Sequence, residues 1–155
     1  MCTIIKNDDR TTVTGYKLVL KHKDSYYSPI AHTLIKEGKI APIRSQKRLP
    51  LMKEPGYSFD KSLCGYTCVF KQRKDARSVN WINMEFYDEM LMRRFLSETQ
   101  FVILKMEISD SIKQIENGDA EGFIGKNVIS FKEIECLPDA GAEILKKQNI
   151  VLINL

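Results

Sequence analysis

Apolar and polar residues alternate most regularly over residues 15–22, where Tyr16, Leu18 and Leu20 share one parity and Lys17, Val19 and Lys21 the other. A period of two sends one set of side chains to a core and leaves the other outside, lysine stems along the surface, so the segment reads as a strand ending at His22. Lys23-Asp24-Ser25 fits a hairpin connection to a second strand at Tyr26-Tyr27-Ser28, which Pro29 stops or confines to an edge. A short apolar-rich stretch over residues 2–6 precedes them. Glu37-Gly38-Lys39 reads as a turn before an extended segment near Ile40.

Residues 65–70 (Gly-Tyr-Thr-Cys-Val-Phe) form the next strand pattern, and 101–108 (Phe-Val-Ile-Leu-Lys-Met-Glu-Ile) the strongest, rich in β-branched and aromatic residues. Between them Ala76, Val79, Ile82, Phe86 and Met90 recur at spacings of three and four. That pattern predicts one long helix over residues 74–97. Trp81, Met84, Tyr87, Leu91, Phe95 and Leu96 widen the stripe past one face, so the helix is either in two pieces or covered on more than one side. Gly118, Gly122 and Gly125 are read as turns around Phe123-Ile124. Residues 128–131 read as another strand, continuing to Ile134. Asp139 suits the N-cap of a short helix running to Lys147, with Glu143 early and Lys146-Lys147 late, as the helix dipole prefers. Residues 150–155 close the chain as a strand. The expected fold class is α+β: a mixed, mostly antiparallel sheet with one long central helix and a short C-terminal helix.

At 155 residues the chain falls in the range of one domain, read as residues 1–155 without repeats. The 43% hydrophobic and 28% charged content supports a packed core rather than disorder. No apolar run approaches the ~20 residues of a membrane span, and the N-terminus turns polar too soon for a secretory signal. With Cys2, Cys64, Cys68 and Cys136 scattered, reduced thiols and a cytoplasmic location are expected.

Net charge is +4, unevenly spread: residues 36–77 hold eleven Lys/Arg against four Asp/Glu, and the remainder thirteen against sixteen. Within that stretch lies a long loop at residues 44–62, broken by Pro50, Pro55 and Gly56. The candidate binding residues are therefore Arg44, Lys47, Arg48 and Lys53 in the loop, and Lys71, Arg73, Lys74 and Arg77 at the following strand-to-helix junction. Such a surface suits an anionic protein or small-molecule ligand. Nucleic acid is a third partner class, with phosphates on the basic residues and bases stacked on Tyr57, Phe59 or Tyr66, although no recognised module is present.

Phosphate-loop, dinucleotide, nucleophile-elbow and His-Glu-x-x-His signatures are missing. Two histidines, His22 and His32, exclude a multi-histidine metal centre, and Cys64-x-x-x-Cys68 lacks a second pair for zinc. No cofactor is expected, and no catalytic residue is assigned. Met1-Cys2 before an apolar strand resembles the start of class II glutamine amidotransferases, but Thr3 stands where that family has Gly, and a small buried or terminal residue explains Cys2.

The succession Gly15-Tyr16-Lys17-Leu18-Val19, Tyr27-Ser28-Pro29, Gly65-Tyr66-Thr67-Cys68-Val69-Phe70, Val102-Ile103-Leu104-Lys105-Met106-Glu107 and Val128-Ile129-Ser130-Phe131 resembles small uncharacterised proteins of bacteria and their phages. That resemblance implies a phage-type inhibitor of a host enzyme. The same order is similar, distantly, to the ADP-ribosyltransferase layout, which implies an NAD-binding enzyme with His22 ending the first strand and Glu133 or Glu135 beside the nicotinamide. The leading expectation is a non-catalytic binding module for an anionic partner; the transferase and nucleic-acid readings stand as alternatives.

Overall fold

The computed structural model describes residues 2–29, 32–42, 45–49, 65–79, 82, 84–146 and 150–152. Among them the order is β1 (Cys2–Asn7), β2 (Thr12–His22), β3 (Ser25–Tyr27), β4 (Gly38–Lys39), β5 (Thr67–Phe70), α1 (Arg73–Ala76), β6 (Met84–Phe86), α2 (Glu89–Glu98), β7 (Thr99–Ser109), β8 (Lys113–Asn117), β9 (Ala120–Gly125), β10 (Asn127–Cys136), α3 (Ala140–Lys146) and β11 (Ile150–Leu152). The main sheet is antiparallel, ordered β1-β8-β9-β5-β2-β7-β10-β4, with β3 beside β2. A separate parallel pair joins β6 to β11. No helix among the described residues is long and apolar enough to cross a membrane.

The β2–β7 ladder is the spine, running in unbroken register from Thr12↔Ser109 to His22↔Thr99. Both strands are apolar on both faces, and two cores result. Leu18, Leu20, Phe101 and Ile103 pack with Phe86 and Phe95, Ala140 and Ile144 on one side. Val13, Val19, Val102, Leu104, Met106 and Ile108 pack with Val69 and Phe123 on the other. Val19 is therefore fully buried rather than outward, and Lys17 is half-buried, its Nζ donating to the Cys68 carbonyl at 2.9 Å. Strict alternation implied a single buried face. The second core exists because β5 crosses over the odd-numbered face of β2.

Gly15 makes that crossing possible. A Cβ there would collide with the Val69 side chain and lie 2.7 Å from the Phe70 carbonyl oxygen. β2 and β5 are paired only at Tyr16↔Phe70. The sheet accordingly bends at this point, and β5, β9, β8 and β1 continue beyond the bend.

The single long helix over residues 74–97 is not observed. The described residues instead give α1, the strand β6 and α2. Ile82, Phe86 and Met90 satisfy a period of two as well as four, and Met84 with exposed Glu85 decides for the strand. Asp88 then starts α2 by accepting the Leu91 N–H at 2.9 Å. Met90, assigned to the apolar stripe, is 75% exposed. The short C-terminal helix and the closing strand are present as α3 and β11.

Of the three glycines read as turns, Gly118 serves one, at φ +63° between β8 and β9. Gly122 and Gly125 lie inside β9 and admit neighbouring backbone: the Val69 carbonyl at Gly122 and the Ser109 carbonyl at Gly125. The Lys23-Asp24 turn forms without Asn-Gly, both residues adopting positive φ. Gly38-Lys39, read as a turn, forms the short edge strand β4 on Asn127-Val128.

Candidate functional site

Of the eight basic residues singled out, Arg44 and Lys53 lie outside the described residues, as does most of the 44–62 loop. Lys47 is exposed and its carbonyl accepts the Leu34 N–H; Arg48 is half-buried and bridges Thr33. Lys71 faces Glu121 at 3.5 Å. Lys74 is exposed on α1. Arg73 and Arg77 converge on one carboxylate: Arg73 Nη2 lies 2.7 Å from Glu135 Oε1, and Arg77 Nε 2.7 Å from Glu135 Oε2. Arg73 also donates to the Ile134 carbonyl at 3.3 Å. The hydrogen bonds from Arg77 and then Arg73 hold the Glu135 carboxyl down to about 2. This junction is a closed ion cluster.

Glu133 and Glu135 have the two-residue spacing that would put both on one face. The β10–β7 register slips between them, however, so Ile134 is the extra residue of a bulge. Glu133 pairs with Lys21 at 3.1 Å and accepts from the Tyr26 hydroxyl at 3.3 Å, beside the second core. Glu135 meets α1, whose Ala76 belongs to the first. His22 is buried next to Thr99 and Glu98. The Cys64–Cys68 pair cannot be placed, since Cys64 lies outside the described residues, which contain no cluster able to hold a metal.

A different constellation forms at the opposite end of β5. The turn after β1, the start of β2, the β7–β8 turn and Tyr66 enclose a cleft of about 690 Å³ lined by Asn7, Asp8, Arg10, Thr11, Tyr66, Asp110, Ser111, Ile112 and Lys113. Antiparallel pairing forces these segments together: Asn7 is in register with Lys113, and Thr12 with Ser109. Lys113 Nζ lies 5.5 Å from the centroid of the Tyr66 ring. Lys126, in the β9–β10 turn, reaches the same ring at 5.3 Å. Both are cation–π distances. Neither ammonium has a carboxylate in ion-pair contact among the described residues.

The wall of the cleft is rigid and already paired. Arg10 grips Asp8 through Nε at 2.9 Å and Nη2 at 2.8 Å, while Gln114 Nε2 donates to Asp8 at 2.7 Å. The hydrogen bonds from Arg10, then Gln114, hold the Asp8 carboxyl far below the usual range and raise Arg10. Arg10 also stacks 4.8 Å from the centroid of Phe123. Asp110 and Ser111 turn the chain with φ of +68° and +55°, and the Asp110 carbonyl accepts the Lys126 N–H.

Comparison with protein families, with characterised proteins and with solved structures finds no match. The site must therefore be read from its own chemistry.

Tyr66 is one of the aromatics that the sequence offers for stacking, but Lys113, Lys126 and Arg10 carry no sequence signal. They are separated from Tyr66 by tens of residues and meet it only through strand order. The one local cue was Asn117-Gly118, a hairpin signal that would have identified β8 and β9 and so placed Lys113 and Lys126 at the same end.

Proposed function

We propose that this protein is a non-catalytic binding module that docks an anionic protein surface or small anionic ligand at the Tyr66–Lys113–Lys126 end of its sheet. The observation that carries this reading is the convergence of two ammonium groups on one aromatic ring with no carboxylate in ion-pair contact among the described residues. Two ammoniums drawn to one ring repel each other, and a bound anion relieves that repulsion. In sequence, the basic stretch over residues 44–62 closely precedes Gly65-Tyr66. By contrast Arg73 and Arg77 already have their anion in Glu135. Inhibition of a host enzyme by a phage-type protein is one form such a module would take, and it rests on the resemblance alone.

Amide and side-chain NMR shifts test the reading, using titration with inorganic phosphate, a dicarboxylate and an acidic peptide. Shifts are expected at Tyr66, Lys113 and Lys126, and their loss in Lys113→Glu/Lys126→Glu with the fold retained. An unchanged response in the double variant, or shifts centred on Arg73 and Arg77, would overturn it. Titration with NAD that moved His22, Glu133 or Glu135 would instead favour the transferase reading. Binding of a DNA oligonucleotide with a steep salt slope would favour nucleic acid.

A further inference from the structure

The cleft presents one lysine, hydroxyls and an occupied arginine, and a second lysine, Lys126, reaches its Tyr66 ring from the β9–β10 turn; that combination narrows the anion. We propose that its ligand is a phosphate monoester, bound through its terminal dianionic phosphoryl group; this deepens the anion-binding reading above and depends on it.

Charge is the first argument. Lys113 Nζ and Lys126 Nζ lie 5.5 and 5.3 Å from a single ring centroid, so they are within about 11 Å of each other. The ring offsets part of their repulsion. One group carrying two negative charges offsets the rest, as a carboxylate with a single charge cannot.

Donor geometry is the second. Planar carboxylates are matched by the parallel N–H fork of arginine. Among the described residues the one arginine lining the cleft is Arg10, and its Nε and Nη2 are both on Asp8. The remaining cationic donors are lysine ammoniums, point charges without a preferred plane, which suit the tetrahedral oxygens of a phosphoryl group. Thr11 and Ser111 bring hydroxyls to the same lining.

The third argument limits the length of the anion. Asp8 and Asp110 also line the cleft, and a chain of phosphates laid along it would meet both carboxylates. A nucleic-acid backbone is disfavoured for that reason, whereas one terminal group between the lysines is not. Tyr66, which lines the cleft, supplies apolar surface for the carbon portion of the ester.

Titration of the full chain by calorimetry and phosphorus NMR uses phenyl phosphate, inorganic phosphate, dimethyl phosphate and benzoate as probes. Phenyl phosphate is expected to bind at least tenfold tighter than benzoate or dimethyl phosphate. Inorganic phosphate binding as tightly as phenyl phosphate would assign the site to the free ion and overturn the ester. Lowering the pH from 7.5 to 5.5 should weaken phenyl phosphate about fourfold, because its second ionisation lies near 6. Lys113→Met/Lys126→Met should cost at least tenfold. Equal binding of phenyl phosphate and benzoate would overturn the phosphate inference and leave the anion reading standing. Failure of every probe to bind would overturn both.

Discussion

At the end of β5 that leads into α1, two arginines close on Glu135; at the end that begins with Tyr66, two lysines close on a ring. The first arrangement gives both guanidiniums a shared carboxylate within the fold. The bulge at Ile134 turns Glu135 toward α1, and the arginine forks hold both of its oxygens. The second has no carboxylate in ion-pair contact among the described residues, and a ring face attracts a cation weakly and neutralises nothing. Arg73 and Arg77, from the stretch dense in basic residues, thus meet a carboxylate, whereas Lys113 and Lys126, scattered in sequence, meet a ring. Local charge density says how much charge a segment carries, and only the neighbouring strand says whether an anion is already there.

Acid gives the largest effect, and it leaves both ends of β5 in their charge states. His32 is 4% exposed at φ +56°, with neither ring nitrogen hydrogen-bonded. Burial, and then the nearby Arg48 charge, lowers it from 6.5 to about 4; the Pro29 carbonyl opposes this without reaching hydrogen-bonding geometry. Unfolded, the imidazole takes a proton below 6.5, but folded it resists until about 4, so stability falls as the pH drops through that window. The loss should reach about 3 kcal/mol near pH 4. His32→Asn, a residue that tolerates this backbone, should flatten the dependence in urea denaturation between pH 7 and 4. A slope unchanged by the substitution would assign the titration elsewhere. Glu135, at about 2, keeps the arginine cluster closed throughout that range.

Gly122→Ala would disturb both ends together. Its new methyl would meet the Val69 carbonyl oxygen, which is backbone and has no rotamer to escape into. A cost of about 2 kcal/mol is expected, seen as a melting temperature lower by roughly 4–8 °C. Because β5 carries Tyr66 at one side and leads to Arg73 at the other, anion binding at the cleft should weaken in parallel. Full retention of stability would show that β5 is not pinned where Val69 places it.

Glu135→Gln is a smaller perturbation in stability but the sharpest for the comparison. It removes the anion from Arg73 and Arg77 and leaves their positive charge exposed. The closed end should then acquire a second, salt-sensitive anion site, with a modest loss of stability that disappears in high salt. Shifts at Arg73 and Arg77 during phosphate titration, missing in the wild type, would report it. If the variant gains no such site, charge satisfaction is not what distinguishes the two ends.

Much of the sheet was legible because strands are local. The parity of Tyr16, Leu18 and Leu20, the β-branched run of β7 and the stop at Pro29 each reflect contacts a strand makes wherever it pairs. The second core was not legible, because Val19 is buried only where β5 crosses Gly15, a contact about fifty residues away in sequence. The false helix over residues 74–97 had a similar cause: spacings of four belong to both periods, and β6 is fixed by pairing with β11. The cleft was least legible of all. Its lysines lie in segments of ordinary composition, and what unites them is strand order, which no local pattern encodes.

Tyr66→Leu is the mildest change and separates the ring from the charges around it. Leucine keeps apolar bulk beside Ile112 but has no quadrupole for Lys113 and Lys126. Each cation–π contact at a partly exposed position is worth about 0.5–1 kcal/mol. A double-mutant cycle of Tyr66→Leu with Lys113→Met should therefore yield a coupling of that order, measured by urea denaturation, and the same for Lys126→Met. With the ring gone the two ammoniums are free to move apart, so phosphate binding should weaken even though no charge has been removed. Zero coupling together with unchanged binding would mean that the lysines find the anion unaided, and that the ring merely lies beneath them.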